Sequence, residues 1–510
     1  MKKTNSSKSV KKSDIILSST GFKKVPTGIE GFDSIAHGGI PAGRTTLLSG
    51  TSGSGKTVFS MEFLVRGIQN HGVPGVFVTF EETPQDIISN MKGFGWDLKS
   101  WVDQGKLIFV DASPVEDEET TEVGEFDLSG FIARVIHAVN KIHAKRIAVD
   151  SISALFPRYS DQMVIRRDIY RLSSMLKKMG VTTILTAERI NNEDDQIARF
   201  GVEEFVSDNV ILLHNYLDRI RGDRKRSIEI LKFRGTTHES QETPLLVLDD
   251  GVHVFPRPKP SYHGHESSAE KISTGIPGLD EMFCGGIYKN STTLVTGASG
   301  TGKTVSGMSF IMAGALKGER GIYIAFEESD EQLYRNAESF GWDLRKHVES
   351  GLVRLFCAVP EELKSEEHFK RIRDIIEESQ VSRFVLDSLS AMERIYPPDR
   401  FREFTIGLNT YLKGNKVTTL LTNTTSALLD VTQITESHLS TATDNIILLK
   451  YVELEGAMKR ALALIKARGS QHEKELRELI IDEKGMVIGN CFVGYENLMA
   501  GSANRVSSRE

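Results

Sequence analysis

Two octapeptides, Gly50-Thr51-Ser52-Gly53-Ser54-Gly55-Lys56-Thr57 and Gly297-Ala298-Ser299-Gly300-Thr301-Gly302-Lys303-Thr304, follow one pattern, and the sequence around each repeats with them. In G-x-x-x-x-G-K-[ST] the glycines let backbone N–H groups curl round a phosphate, the Lys reaches the β/γ-oxygens, and the hydroxyl is left for Mg²⁺. Each octapeptide follows a strand-like run, Thr45-Thr46-Leu47-Leu48 or Thr292-Thr293-Leu294-Val295, and precedes a helical pattern with a positive N-terminal end. One such octapeptide could be a glycine turn. Two in matching surroundings point to a nucleotide in each half of the chain.

The repetition runs well beyond the loops. Pro26-Thr27-Gly28-Ile29-Glu30-Gly31-Phe32-Asp33 matches Ser273-Thr274-Gly275-Ile276-Pro277-Gly278-Leu279-Asp280 at the loops' own offset of 247 (27 to 274, 50 to 297). Phe80-Glu81-Glu82 matches Phe326-Glu327-Glu328, and Gly95-Trp96-Asp97-Leu98 matches Gly341-Trp342-Asp343-Leu344. Ile147-Ala148-Val149-Asp150-Ser151 answers Phe384-Val385-Leu386-Asp387-Ser388, and Lys232-Phe233-Arg234-Gly235 answers Lys466-Ala467-Arg468-Gly469. A period this long means a duplicated domain rather than a solenoid. Short apolar β-branched runs alternate with amphipathic helical patterns in each half. The fold class expected is α/β: tandem P-loop domains, each a mostly parallel sheet flanked by helices, with nucleotide at the carboxyl ends of the strands.

At 510 residues the chain suits two domains. The expected boundaries are 1–17 a solvated Lys/Ser-rich tail, 18–255 and 271–495 the two domains, 256–270 a Pro-Arg-Pro-Lys-Pro linker, and 496–510 a short tail. With 39% hydrophobic and 26% charged residues the composition is globular, and a net charge of −6 gives no reason to expect nucleic acid. Cys284, Cys357 and Cys491 are too few and too scattered for a disulfide framework or metal cluster. There is no apolar run of about 18 residues and no apolar block before Ser19, so the expectation is a cytoplasmic protein without a membrane contact.

Three sets of residues could carry chemistry. Glu81-Glu82 and Glu327-Glu328 stand where strands end and helices begin, Thr83-Pro84 reading as a capped start and Ser329-Asp330-Glu331-Gln332 as a capping box. A carboxylate there could decorate a helix N-terminus, or take the proton from a water or hydroxyl attacking the γ-phosphate. Asp150 and Asp387 end apolar strands and suit Mg²⁺ beside Thr57 and Thr304, with Glu327 added in the second half. Lys232-x-Arg234 and Lys466-x-Arg468 alternate along strand-like runs, which puts both cations of each pair on one face. They are either solvated edge charges or the completion of a phosphate site.

Taken together, these residues resemble the KaiC family, the circadian-clock ATPases of the RecA-like superfamily, over residues 15–500. The most discriminating stretch is Ile434-Thr435-Glu436-Ser437-His438-Leu439-Ser440-Thr441-Ala442-Thr443-Asp444, which looks like the family's autophosphorylation segment. The resemblance implies ATP and Mg²⁺ as cofactors, hydrolysis in both halves, and self-phosphorylation and dephosphorylation in the second. Ser440 and Thr441 would then be phosphoacceptors, Thr435 a transient one, and Arg402 a partner of the phosphate. It also implies a double-ring homohexamer with nucleotide at subunit boundaries, where Lys232, Arg234, Lys466 and Arg468 reach in from the adjacent protomer. Phe233, Thr236, His238, Arg460 and His472 join the nucleotide-binding set on the same resemblance, and Phe94 and Phe340 would lie near the adenine. A KaiB-like partner is implied for the first half, with the acidic loop Glu116 to Glu125 contributing. Only fifteen residues follow Tyr495, against a longer tail that recruits KaiA in cyanobacterial members, which argues against KaiA binding.

Two other classes share the loops. A RecA-like DNA-dependent ATPase would need basic or aromatic nucleic-acid loops, and no stacking platform stands out between Glu188 and Ser207 or between Asn423 and Ser440. An ATP-gated interaction hub would hydrolyse nucleotide without phosphorylating itself.

Overall fold

The computed structural model describes residues 16–17, 21–112, 129–158, 162–190, 197–198, 207–217, 222–256, 268–360, 365–425, 442–493, 495–496, 498 and 504–505. The chain divides into two units, Met1–Pro256 and Arg257–Glu510. In the first, nine strands form one sheet: β1 (Thr45–Gly50), β2 (Gly75–Thr79), β3 (Leu107–Asp111), β4 (Arg146–Asp150), β5 (Thr182–Glu188), β6 (Asn209–Leu217), β7 (Arg224–Phe233), β8 (Thr243–Leu248) and β9 (Gly251–Val254). Their spatial order is β3-β2-β4-β5-β1-β6-β7-β8-β9. The strands from β3 to β6 pair in parallel, and β7, β8 and β9 add on as antiparallel neighbours.

The second unit repeats this with β10 (Thr292–Gly297), β11 (Gly321–Ala325), β12 (Val353–Cys357), β13 (Arg383–Asp387), β14 (Thr418–Thr424), β15 (Asn445–Leu454), β16 (Ala457–Ala467), β17 (Arg477–Asp482) and β18 (Gly485–Cys491). The order β12-β11-β13-β14-β10-β15-β16-β17-β18 is the same permutation. Both sheets are mostly parallel with flanking helices, as tandem RecA-like α/β domains require.

The sequence explains the layers. Central strands of a parallel sheet are buried on both faces, and all six residues of β1 and of β10 are buried, their small hydroxyl side chains included. Side chains still alternate between faces. Phe77 packs with Phe32, Phe59 and Phe63 on one side of the first sheet, while Val76 and Val78 pack with Ile147, Val149 and Leu172 on the other.

Helix α1 (Lys56–His71) starts after Gly55 and α5 (Lys303–Ala315) after Gly302, both glycines in the left-handed region at φ +102° and +113°. Only glycine adopts that conformation without strain, so each loop can turn its N–H groups inward and still enter a helix. Between them along the chain come α2 (Pro84–Met91), α3 (Ser129–Ile142) and α4 (Gln162–Lys178). The second unit adds α6 (Asp330–Ser339), α7 (Ser365–Glu378), α8 (Leu389–Ile395) and α9 (Pro398–Gly414). Thr83 caps α2 and Ser329 with Gln332 forms a full capping box on α6, as the sequence predicts.

The repeated Thr-Gly-Ile turn has a structural purpose. Asp33 accepts from Thr27 N, Thr27 Oγ1 and Gly28 N at 2.8, 2.7 and 3.0 Å, and Asp280 accepts from Thr274 N and Oγ1, both at 2.7 Å. Each carboxylate closes the turn by satisfying amides that no strand pairs.

Candidate nucleotide sites

Each loop wraps its own lysine. Lys56 Nζ donates to Gly50 O and Thr51 O at 3.0 Å, and Lys303 Nζ donates to Gly297 O at 3.0 Å and Ala298 O at 2.8 Å. Neighbouring strands hold the outer side of the loop. Asn215 Nδ2 donates to Ser52 O at 3.2 Å and Arg226 Nε to Gly53 O at 2.9 Å. In the second unit Tyr451 OH and Arg460 Nε converge on Gly300 O at 2.6 and 3.2 Å. Ser54 and Thr301 are fully buried in the turns, while Ser299 lies at the exposed outer curve.

At the helix start, Thr57 Oγ1 donates to Asp150 Oδ2 at 2.6 Å, and Thr304 Oγ1 to Asp387 Oδ2 at 2.7 Å. The other carboxylate oxygen of each Asp accepts from the strand next door, from Thr186 in the first unit and Thr422 in the second. A hydroxyl and a carboxylate held together at the phosphate end of the loop are hard oxygen donors of the kind Mg²⁺ takes. The residues present therefore fit that ion in both units. The peptides Asp150–Ser151 and Asp387–Ser388 are both cis.

The first loop opens into a cleft of ≈ 390 Å³ lined by Lys56, Thr57, Glu81, Glu82, Asp150, Glu188 and Arg226, among others. Glu81 stands at its mouth, and the partial desolvation of its carboxyl there, then Glu188 and Asp150, push it above the usual range, with Lys56 opposing. Lys56 is pushed down by burial, against the pull of Asp150, Glu188 and Glu81. Glu82 instead accepts from Asn90 at 3.1 Å, on the flank of α2.

In the second unit Glu328 accepts from Asn336 at 3.3 Å, and its carboxyl is raised by burial and then by Asp387. Glu327 pairs with Arg394 on α8 and lies within electrostatic reach of Lys303, which burial pushes down. So the first Glu of each pair lies within electrostatic reach of the loop lysine, while the second is tied to the asparagine of the following helix.

Other candidates lie elsewhere. Lys232 and Phe233 end β7, and Arg234 falls just past the strand rather than on it. The register shifts between Ile230 and Lys232, just before the pair, and past it a buried Phe233 stands between a half-buried Lys232 and an exposed Arg234. Arg234 lies 3.7 Å from Asp208, and Phe233 is in the core with the His238 ring edge-on to it at 5.4 Å. Thr236 sits in the turn that follows. Lys466 stands at a matching shift on β16 and donates to Thr443 O at 2.6 Å; Arg468 and His472 follow the strand. Phe94 and Phe340 pack against Trp96 and Trp342 with ring centroids 4.9 and 5.0 Å apart. Arg402 is exposed on α9. Thr435, Ser440, Thr441 and the acidic loop Glu116 to Glu125 lie outside the described residues.

Sequence reasoning missed Arg226, Asn215, Thr186 and Thr422. Arg226 was findable, because it stands as far from Arg460 as Lys232 does from Lys466 (226 to 460, 232 to 466). The two threonines carry no signal of their own, since a Thr-rich strand is ordinary until its neighbour across the ladder is known.

Comparison with known proteins agrees with this geometry. The family described as ATPase: KaiC matches twice, over residues 25–259 and 272–491. The "Circadian clock oscillator protein KaiC" of Thermostichus vulcanus is 48% identical, over 97% of this chain and 94% of that protein. The protein of the same name from Acaryochloris marina is 47% identical over 100% of this chain and 96% of its own length. "Circadian clock oscillator protein KaiC 1" of a Synechocystis species is 47% identical over 96% and 93%. With two matched P-loop domains and identity of this level along nearly its whole length, the chain belongs to the KaiC ATPase family.

Proposed function

We propose that this protein is a circadian-clock ATPase that hydrolyses ATP in both halves and phosphorylates and dephosphorylates itself in the second. The observation that carries the reading is the loop–Thr–Asp contact, formed alike at Thr57–Asp150 and Thr304–Asp387, with a glutamate in reach of each loop lysine. Thr57 with Asp150, and Thr304 with Asp387, would hold Mg²⁺, whose positive charge would offset the charge developing in phosphoryl transfer. Lys56 and Lys303 hold the β/γ-oxygens, and Glu81 and Glu327 take the proton of the attacking group.

In the first half that group is water. In the second it is also the hydroxyl of Ser440 or Thr441: the oxygen bonds to the γ-phosphorus, the bond to the β–γ bridging oxygen breaks, ADP leaves, and Glu327 receives the proton. Asp208 and Asp444 begin matching segments, which puts Glu204 and Phe205 opposite Ser440 and Thr441. The first half therefore has no acceptor hydroxyl at those places. Thr435 is a further acceptor and Arg402 a partner for the product phosphate. Lys232, Arg234, Thr236, His238, Lys466, Arg468 and His472 complete nucleotide sites across subunit boundaries in a homohexamer. A KaiB-like protein fits the first half as a partner, in the cytoplasm; among the described residues no helix is long and apolar enough to cross a membrane.

Mass spectrometry after incubation with MgATP tests the kinase reading. Phosphate is expected on Ser440 and Thr441 and lost in Ser440→Ala/Thr441→Ala. Undiminished phosphorylation of that variant would leave an ATPase without the assigned acceptors.

A further inference from the structure

The two sites differ at a position that touches their shared machinery. Tyr323, buried in the middle of β11, donates its phenol O–H to Asp387 Oδ2 at 2.9 Å, onto the same oxygen that accepts from Thr304. In the first unit the residue in this place is Phe77. The ladders agree on the match, with Tyr323 opposite Val385 and Phe77 opposite Ala148 in strands aligned from Gly321 and Gly75.

A second substitution makes room for the hydroxyl. On α5, a Cβ on Gly307 would lie 3.0 Å from Val385 Cγ1 and 3.2 Å from both the ring edge and the oxygen of Tyr323, closer than packed cores allow without adjustment. The counterpart of Gly307 on α1 is Ser60 (56 to 303, 60 to 307), fully buried, whose Oγ donates to Thr57 O at 3.1 Å. The duplication has thus exchanged a Phe/Ser pair for a Tyr/Gly pair directly beneath the Thr–Asp contact.

Orientation of the aspartate does not require the phenol, because Asp150 is held by its two threonines in the same way. What the phenol adds is electrostatic. A hydrogen bond donated to an anionic oxygen draws charge from it, and with Thr304 it occupies both lone pairs of Oδ2. A carboxylate so engaged offers less to a cation or its water ligands. We propose that Tyr323, acting through Asp387, weakens the second half's hold on Mg²⁺ relative to the first, so that nucleotide binding in the second half follows the Mg²⁺ concentration. This rests on the Mg²⁺–nucleotide reading of both sites.

The test is retention of a fluorescent ATP analogue by the full-length protein across a Mg²⁺ titration. The wild type is expected to show two phases, and Tyr323→Phe should move the later one to lower Mg²⁺ by roughly three- to ten-fold, part of the worth of one charge-assisted hydrogen bond. Simple damage to the core would move it the other way. Phe77→Tyr/Ser60→Gly should move the earlier phase to higher Mg²⁺, and reads the same contact if Tyr323→Phe does not fold. Two coincident wild-type phases, or phases unmoved by these variants, overturn the proposal alone. Retention independent of Mg²⁺ in both halves overturns it together with the Mg²⁺ reading.

Discussion

At the scale of single residues, the paired glutamates are equal in sequence and unequal in place. Glu81 and Glu82 both line the first cleft, but Glu81 lies within electrostatic reach of Lys56, Asp150 and Glu188, whereas Glu82 is tied to Asn90. Glu81→Gln should lower first-half hydrolysis by about 10²- to 10⁴-fold, the usual contribution of a positioned base, while nucleotide still binds. Glu82→Gln should change it only a few-fold; assays in a Lys303→Ala background isolate that half. The pH dependence has a definite sign. A base works ionised, and burial with the charges of Glu188 and Asp150 raises the Glu81 carboxyl, so activity falls with decreasing pH before the ordinary glutamate value of about 4.3 is reached. Removing one negative neighbour with Glu188→Gln should shift this acid limb to lower pH; a shift upward would contradict the charge assignment.

At the scale of elements, each unit pins its loop-bearing helix with a buried arginine from the Asp-bearing strand. Arg146, at the start of β4, donates to Phe63 O at 2.9 Å and Pro26 O at 3.0 Å and lies 4.7 Å over the Phe63 ring. Arg383 on β13 does the same to Phe310 O and Ser273 O at 3.0 and 2.8 Å. A Cβ on Gly67 or Gly314 would come within 2.7 or 2.5 Å of the arginine Cδ, so those helix glycines exist to let the side chain pass. Arg146→Ala strands two carbonyls and leaves a cavity, at a cost of roughly 2–5 kcal/mol. Urea unfolding should show the first unit's transition at lower denaturant and the second's unmoved, with Arg383→Ala giving the converse. Sequence reasoning aligned the strands these arginines begin, yet gave them no role: a charged residue before an apolar run looks like a solvated strand end. Only the helix crossing above it makes the site an interior one.

At the scale of the whole molecule, Lys232 and Lys466 rejoin the ladder just past a register shift, opposite Val210 and Ile446. A role for them and for Arg234 and Arg468 on phosphate would be met by a neighbouring copy. Light scattering with MgATP should report a mass near six times 56.7 kDa, falling when nucleotide is removed. A monomer at micromolar protein with MgATP present would refute the shared site. The sequence by itself determined the duplication, the α/β class, both loops and the Asp and Glu positions, because these depend on local chemistry: glycine conformation, strand periodicity and helix capping. Tertiary structure decided which glutamate faces the loop lysine, that Thr186 and Thr422 hold the aspartates, that Arg234 leaves its strand, and that Tyr323 with Gly307 sets the second site apart. Those outcomes depend on which strands become neighbours and how closely a helix crosses them, and contacts made across the sheet leave no periodic trace along the chain.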